Sequence, residues 1–445
     1  VGQSAGENIQ NGNSNILLGY RAGYTGTGFD NSVGIGYRAL YNNTGDGNIA
    51  IGYDAGFALT SGVSNIAIGS NALATEDAAG ETVAIGNNAG RTQDAGSGGA
   101  YNTYLGSASG YYNAAGKNNT YLGAYSGTGT SSNSNDGNVG VGAFAMNAAT
   151  TAQLNVGVGK HSLDSITTGQ NNVSIGAGAL YDLTTTNNMV AIGKDAGYNV
   201  DHAGAEGGTY VGYQASKANT SGAHNTSVGY QALLTNAAGG NNVAVGSGAL
   251  TSLNGGGTNV AVGKKAMNSA DGAESNNVAI GSSAMQNANN DSTVKNVAIG
   301  ADAMVGATSG NVNRCIAIGF GAMDGTGSID GQQNIFIGDS AGGGTWTGSS
   351  CNSNVAIGAT AMSANMNGAG GNTALGHDTL KSLTTGDNNT AIGRVSSTSL
   401  TTASGSTAVG AYSLDANVGG GEVVAVGHES LTTETFAGQV VAVGY

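Results

Sequence analysis

The chain has 445 residues, 81 of them glycine and none proline, and a formal net charge of −14 with only 13 basic residues. That balance argues against a nucleic-acid partner, which needs clustered Lys and Arg to displace counterions. No stretch is long and apolar enough to read as a membrane-spanning helix.

In chain order, one unit repeats from end to end. Its most regular mark is a glycine preceded by an aliphatic residue, found 26 times from Gly2 to Gly444 at spacings of 16 to 20 residues. No linker or shift in composition interrupts it, so residues 1–445 read as a single continuous array without an internal domain boundary. The residue before this reference glycine is Ile, Val or Leu, as in Ile51, Ile68 and Val245, and two places earlier stands Val, Ile or Thr, as in Val83, Thr120 and Val243. Aliphatic and β-branched residues two apart share one face of an extended strand. Each copy therefore opens with a short strand.

Three residues after the glycine the side chain is small, as in Ala39, Ala72, Ser162 and Thr379. The following position alternates between a filler, such as Leu73, Leu180 or Met267, and a second glycine, such as Gly23, Gly56 or Gly90. That is the composition of a tight turn, in which glycine accepts backbone angles that other residues resist. The rest of each copy is Asn, Thr, Ser, Gly and Ala. A period this short leaves no room for a strand plus a crossover helix. The sequence predicts an all-β protein, a parallel β-solenoid of left-handed β-roll type with about 26 rungs of 16–20 residues. At one strand spacing per rung the array would extend roughly 120 Å.

Asn recurs four residues before the reference glycine, at Asn65, Asn138, Asn155, Asn172, Asn225, Asn242, Asn259, Asn277 and Asn296 among others. Stacked in register, each side-chain amide can donate to a carbonyl one rung away, which predicts a structural asparagine ladder.

The "NxAIGxxAL" unit with its polar "NNTG"-like loop, clear from Gly386 to Gly410, resembles the repetitive shafts of phage and prophage tail-fibre proteins. It is similar in pattern to the head of trimeric autotransporter adhesins, whose shorter unit builds a β-roll in each of three chains. The likeness covers essentially the whole chain. It departs from the adhesins in its longer unit and in lacking their stalk and membrane anchor, and from the tail fibres in lacking a self-cleaving chaperone domain. The chain opens and closes inside a rung, as an excerpt of a longer polypeptide would. The resemblance implies a structural, non-enzymatic protein of a virion, or of the extracellular cell surface. Its partners would be other virion fibre or baseplate proteins, and a host cell-surface glycan or protein reached through a tip outside this segment. The alternative is a cell-surface adhesin whose rod itself mediates attachment.

One rung offers few aliphatic side chains, and Ala stands between the β-branched residues of each strand. The expectation is that the branched residues face inward and that the alanine face, small and smooth, packs against symmetry mates in a homotrimer. A self-contained monomer is the rival.

The two cysteines, Cys315 and Cys351, fall two rungs apart, too far for an intrachain disulfide, and read as free thiols. Gly34–Ala39 and Gly140–Ala145 match a relaxed dinucleotide fingerprint, but no helix can follow them before the next rung. Five histidines, His161, His202, His224, His377 and His428, lie at no metal-ligand spacing. No rung-equivalent carboxylate pair suggests glycoside hydrolysis, and scattered Thr argue against a flat ice-binding array. No catalytic, cofactor or metal site is expected, although Asp136, Asp201, Asp271 and Asp330 in loops could hold ions weakly. The main deviation from the repeat is aromatic: Tyr101, Tyr104, Tyr111, Tyr112, Tyr121 and Tyr125 gather within two rungs. They form either a contact platform for sugar or protein, or a stack that fills the inside of wider rungs.

Overall fold

The architecture was established from a computed structural model, which describes residues 2–130, 133–200, 204–308, 310–433, 435 and 438–445. The chain divides into two units, Val1–Ser221 and Gly222–Tyr445, and each is a parallel β-solenoid with its own core.

In the first unit, 12 three-residue strands run from Ile16–Leu18 to Thr209–Val211. Each pairs with the next in parallel and in register, so that Val139, Gly140 and Val141 oppose Val156, Gly157 and Val158. In the second, 13 strands run from Thr226–Val228 to Val440–Val443 with the same register, as where Val278, Ala279 and Ile280 oppose Val297, Ala298 and Ile299. Two short ladders add to this in the loops: Ala79–Gly80 with Gly98–Gly99, and Val312–Asn313 with Gly331–Gln332. Among the described residues there is no helix.

The reference glycines are where a side chain is least possible. Gly69 has φ near +130°, and a Cβ there would lie 2.3 Å from the carbonyl oxygen of Gly86, its equivalent in the next rung. Both the backbone angle and the close stacking exclude any larger residue. Inter-rung hydrogen bonds continue beyond the strand into the turn: Arg38 N–H donates to Tyr20 O, and Leu40 N–H to Ala55 O. These bonds replace the helical or hairpin pairing that so short a coil cannot make, and they use backbone N–H groups that proline would lack.

The strand faces are the reverse of the expected ones. The middle residue is buried and its neighbours are half-buried or exposed, as in Ile66–Ile68, Val83–Ile85 and Val278–Ile280. The alanines therefore point into the core, and the Val and Ile side chains point out. The cause is volume. The turn already contributes Leu73 or Met285, and the loop Leu59, Leu183 or Leu253, all fully buried. Beneath most strands there is room for one small side chain only.

The same limit explains the alternation of filler and glycine four residues after the reference position. Where the strand centre is Tyr104, Tyr121 or Phe336, that position is Gly110, Gly127 or Gly342, and a Cβ there would come within 2.3, 2.3 and 2.5 Å of the ring. Where the strand centre is Gly34, Gly140 or Gly157, the turn instead supplies Leu40, Met146 or Leu163. In these rungs the large side chain comes either from the strand or from the turn; at Gly56, Gly90 and Gly197 the strand centre is alanine as well, and the space is taken by Leu59, Tyr104 and Tyr210.

Candidate functional site

The asparagine column is present in both units, with more bonds than the sequence suggested. Asn65 N–H donates to Asn48 Oδ1 (2.8 Å), its Nδ2 donates to Ala79 O (3.0 Å), and its Oδ1 accepts from Thr82 N–H (3.0 Å). Asn138 Oδ1 receives both the backbone N–H and the Nδ2 of Asn155, and Asn155 Oδ1 those of Asn172, at 2.9–3.1 Å. The second unit repeats the backbone link through Asn225, Asn242, Asn259, Asn277 and Asn296. All nine are fully buried. The amide thus closes the bend in two directions: across rungs, and to a loop carbonyl such as Gly169 O for Asn155. The ladder is structural and offers no free polar edge to a ligand.

Cys315 takes a ladder position. Its N–H donates to Asn296 Oδ1, and its sulfur receives Asn334 N–H at 3.5 Å. Burial pushes its thiol up to about 11. Cys351 is also buried, and both thiols are free.

The tyrosine cluster separates into two groups. Tyr104 and Tyr121 are fully buried and stack with centroids 6.0 Å apart. They cannot belong to a contact surface, because they occupy the strand-centre slot that faces the core; for these two the packing alternative holds. Asn113 Nδ2 donates to Tyr104 Oη (2.7 Å) and Tyr104 in turn donates to Gln93 Oε1 in the loop, whereas Tyr121 Oη donates to the ladder residue Asn119 Oδ1 (3.4 Å). Burial raises both phenols above the ordinary value. Tyr101 and Tyr125 are exposed, and Tyr111 and Tyr112 half-buried. Tyr111, Tyr112 and Tyr125 border a shallow hollow of about 330 Å³ with Asn87 and Asn88, and Arg91 donates to Tyr111 Oη.

Further aromatic columns on the surface escaped sequence reasoning. Tyr20, Tyr37 and Tyr53, each next to a reference glycine, stack at 5.0–5.1 Å. Tyr24, Tyr41 and Phe57 form a second column. Arg38 lies between the two, over Tyr37 and Phe57, and pairs with Asp54. The signal was in the fixed offsets of one and five residues from the glycine. A third column joins Tyr125, Phe144 and His161 at 5.0–5.1 Å.

The outward strand residues form two aliphatic columns per unit, on which Leu105, Leu122, Ile175 and Ile192, and then Ile280, Ile299, Ile357 and Ile392, are each more than a third exposed. Opposed Val or Thr residues flank them in register.

Among the described residues, one group of acidic side chains could approach a common ion: Glu76, Asp77 and Asp94. Glu76 is buried, its Oε1 accepts Ala79 N–H, and burial raises its carboxyl. It caps its own turn. Asp136 and Asp330 accept hydrogen bonds from Asn118 and from Asn311 N–H; Asp271 is exposed. Asp201 and His202 lie outside the described residues. His161 pairs with Asp164, His377 with Asp378, and His428 stacks on Tyr445. The glycine stretches resembling a dinucleotide fingerprint begin inside the strands Val33–Ile35 and Val139–Val141.

In comparisons with known proteins, no family model matches the chain and no characterised protein is significantly similar. The fold is thus defined by its own geometry: a β-solenoid repeat protein.

Proposed function

We propose that the protein is a structural fibre component, the repetitive shaft of a phage tail fibre or similar virion fibre, assembled as a homotrimer and holding a receptor-binding tip outside this segment. The observation that carries this reading is the outward aliphatic face. Its two columns in each unit span roughly 50 Å by 10 Å at one strand spacing per rung, near the upper end of what a monomer leaves open to water. With both units engaged, roughly 1,000 Å² per chain would be covered, enough for a stable interface. Contact between copies therefore runs through Val and Ile rather than through alanine.

The test is the mass of the purified chain by multi-angle light scattering, with Ile175→Lys and Ile299→Lys as probes. A trimer that falls to monomer in the variants, with the far-ultraviolet spectrum unchanged, supports the proposal. A monomeric parent chain would sink it.

The second reading is a cell-surface adhesin whose rod itself makes contacts. It is favoured by the aromatic columns at Tyr20–Tyr53 and Tyr24–Phe57, which place wide, rotamer-poor surfaces along the flank. Adhesion of cells to immobilised protein, reduced by Tyr37→Ala together with Tyr53→Ala, would favour it over the virion fibre.

A further inference from the structure

Two residues after the reference glycine the side chain sits on the outer surface of the turn, and nearly every rung has one: Tyr125, Phe144, His161, then Asp195, Gln214 and Gln231. In the rung between His161 and Asp195, Ala177 is followed by Gly178 instead, and the second unit has glycine in the same slot at Gly248 and Gly321. The backbone does not require glycine there. Gly178 has φ near +66°, and His161 and Asp195 hold the same slot at +57° and +55°. What glycine provides is a missing side chain. The stacked column Tyr125, Phe144, His161 stops at an imidazole with nothing of its own column beneath it.

The gap is a hollow of about 190 Å³ bordered by Lys160, His161, Tyr181, Asp195 and Tyr198. Tyr181 and Tyr198 form one wall as parallel rings 4.8 Å apart. Asp195 rises into the gap: a Cβ on Gly178 would lie 2.9 Å from its Oδ1 and 3.3 Å from the Tyr198 ring. Lys194 holds the other oxygen, Oδ2, at 3.1 Å. No described residue donates to Oδ1. His161 is fixed by Asp164, 2.8 Å from Nδ1.

We propose that this hollow binds one neutral pyranose unit of a glycan. The His161 ring, stacked on Phe144 by one face, suits the C–H face of a sugar ring with its other, and the edges of the paired Tyr181 and Tyr198 rings lie beside it. The free carboxylate oxygen and the Lys160 ammonium accept from and donate to hydroxyls, which carry both functions. The volume is below that of sites for larger ligands, so one ring enters and the remaining chain stays in solvent. The chain's net negative charge disfavours an acidic sugar. The site lies on the turn rather than on the strand face and is built from one chain, so it does not rest on the assembly proposed above. With so few contacts, the Kd should be on the order of millimolar; several copies along one glycan would bind more tightly through avidity.

Saturation-transfer NMR on the full chain, with the methyl glycosides of glucose, galactose, mannose and N-acetylglucosamine as probes, tests it. Transfer to one face of at least one ring is expected. Gly178→Gln, which places in the gap the residue that Gln214 and Gln231 supply in other rungs, should lower the affinity at least about tenfold with the circular dichroism unchanged, and Tyr198→Leu should do the same. No transfer to any of the four glycosides, or transfer that persists in Gly178→Gln, overturns the proposal.

Discussion

Two stretches fill the same cross-section by opposite means. Around Tyr104 and Tyr121 the large side chain comes from the strand and the turn is reduced to Gly110 and Gly127; from Met267 to Met323 the strand centres are alanines and the turn supplies a run of four buried methionines. The tyrosine stretch needs polar partners for its hydroxyls, which Gln93 and Asn113 provide for Tyr104 and the ladder residue Asn119 for Tyr121. The methionine stretch has no such requirement, and small loop residues such as Ala288 and Ala307 suffice. The comparison teaches that in these two stretches interior volume is what is held, with the large side chain free to come from the strand or from the turn.

The largest effects should come from emptying each kind of slot. Tyr104→Ala is expected to cost about 4 kcal/mol and Met304→Ala about 3 kcal/mol, since a flexible thioether leaves a smaller void around which neighbours can relax. Chemical denaturation of both variants checks the order. Adding Gly110→Leu to Tyr104→Ala should recover more than half of the loss, because Leu73 and Leu250 already hold that turn position at φ near +47° and +49°. If the double variant is no more stable than Tyr104→Ala, the exchange of volume between strand and turn is wrong.

The ladder should respond alike in both stretches. Asn119→Ala and Asn259→Ala each strand a buried backbone N–H and a loop carbonyl, for a cost of about 2–3 kcal/mol. A clear difference between them would mean that the filler also sets the strength of the ladder.

Alkali should separate the stretches next. Tyr104, Tyr121 and Cys315 have folded-state pKa values raised by burial. The unfolded chain then loses these protons first, so stability is full below the ordinary pKa of each group and falls as pH rises beyond it. For Cys315 the window runs from the ordinary value of 9.0 to about 11, worth up to about 3 kcal/mol. Denaturant midpoints at pH 8 and pH 11 should move less in Cys315→Ser than in the parent chain. The smallest effect expected is Tyr104→Phe, about 1 kcal/mol, since it keeps the ring and loses only the hydroxyl bonds to Gln93 and Asn113.

Strand, turn and ladder were all legible from residue type at fixed offsets from the glycine. The inward sense of the strand was not. In Val–Ala–Ile both faces are apolar, so a period of two places the residues on faces without saying which face is inside. The missing clue was compensation between distant positions: Tyr104 with Gly110, Tyr121 with Gly127 and Phe336 with Gly342, against Ala279 with Met285. Reading the pairs together would have placed Tyr104 and Tyr121 in the core. The gap at Gly178 was similarly concealed, because glycine in so glycine-rich a chain looks like one more turn.

The turn positions of each rung carry a further consequence. Arg38 and Leu40 both adopt positive φ, near +51° and +53°, as do His161 and Leu163, and such angles disfavour non-glycine residues by roughly 1–2 kcal/mol each. A solitary rung would not hold them, because the bonds that fix them, Arg38 N–H to Tyr20 O and Leu40 N–H to Ala55 O, come from the rungs on either side. The chain must therefore fold as a crystal grows, each new layer taking its shape from the one already laid down, with the initiating layer as the slow event.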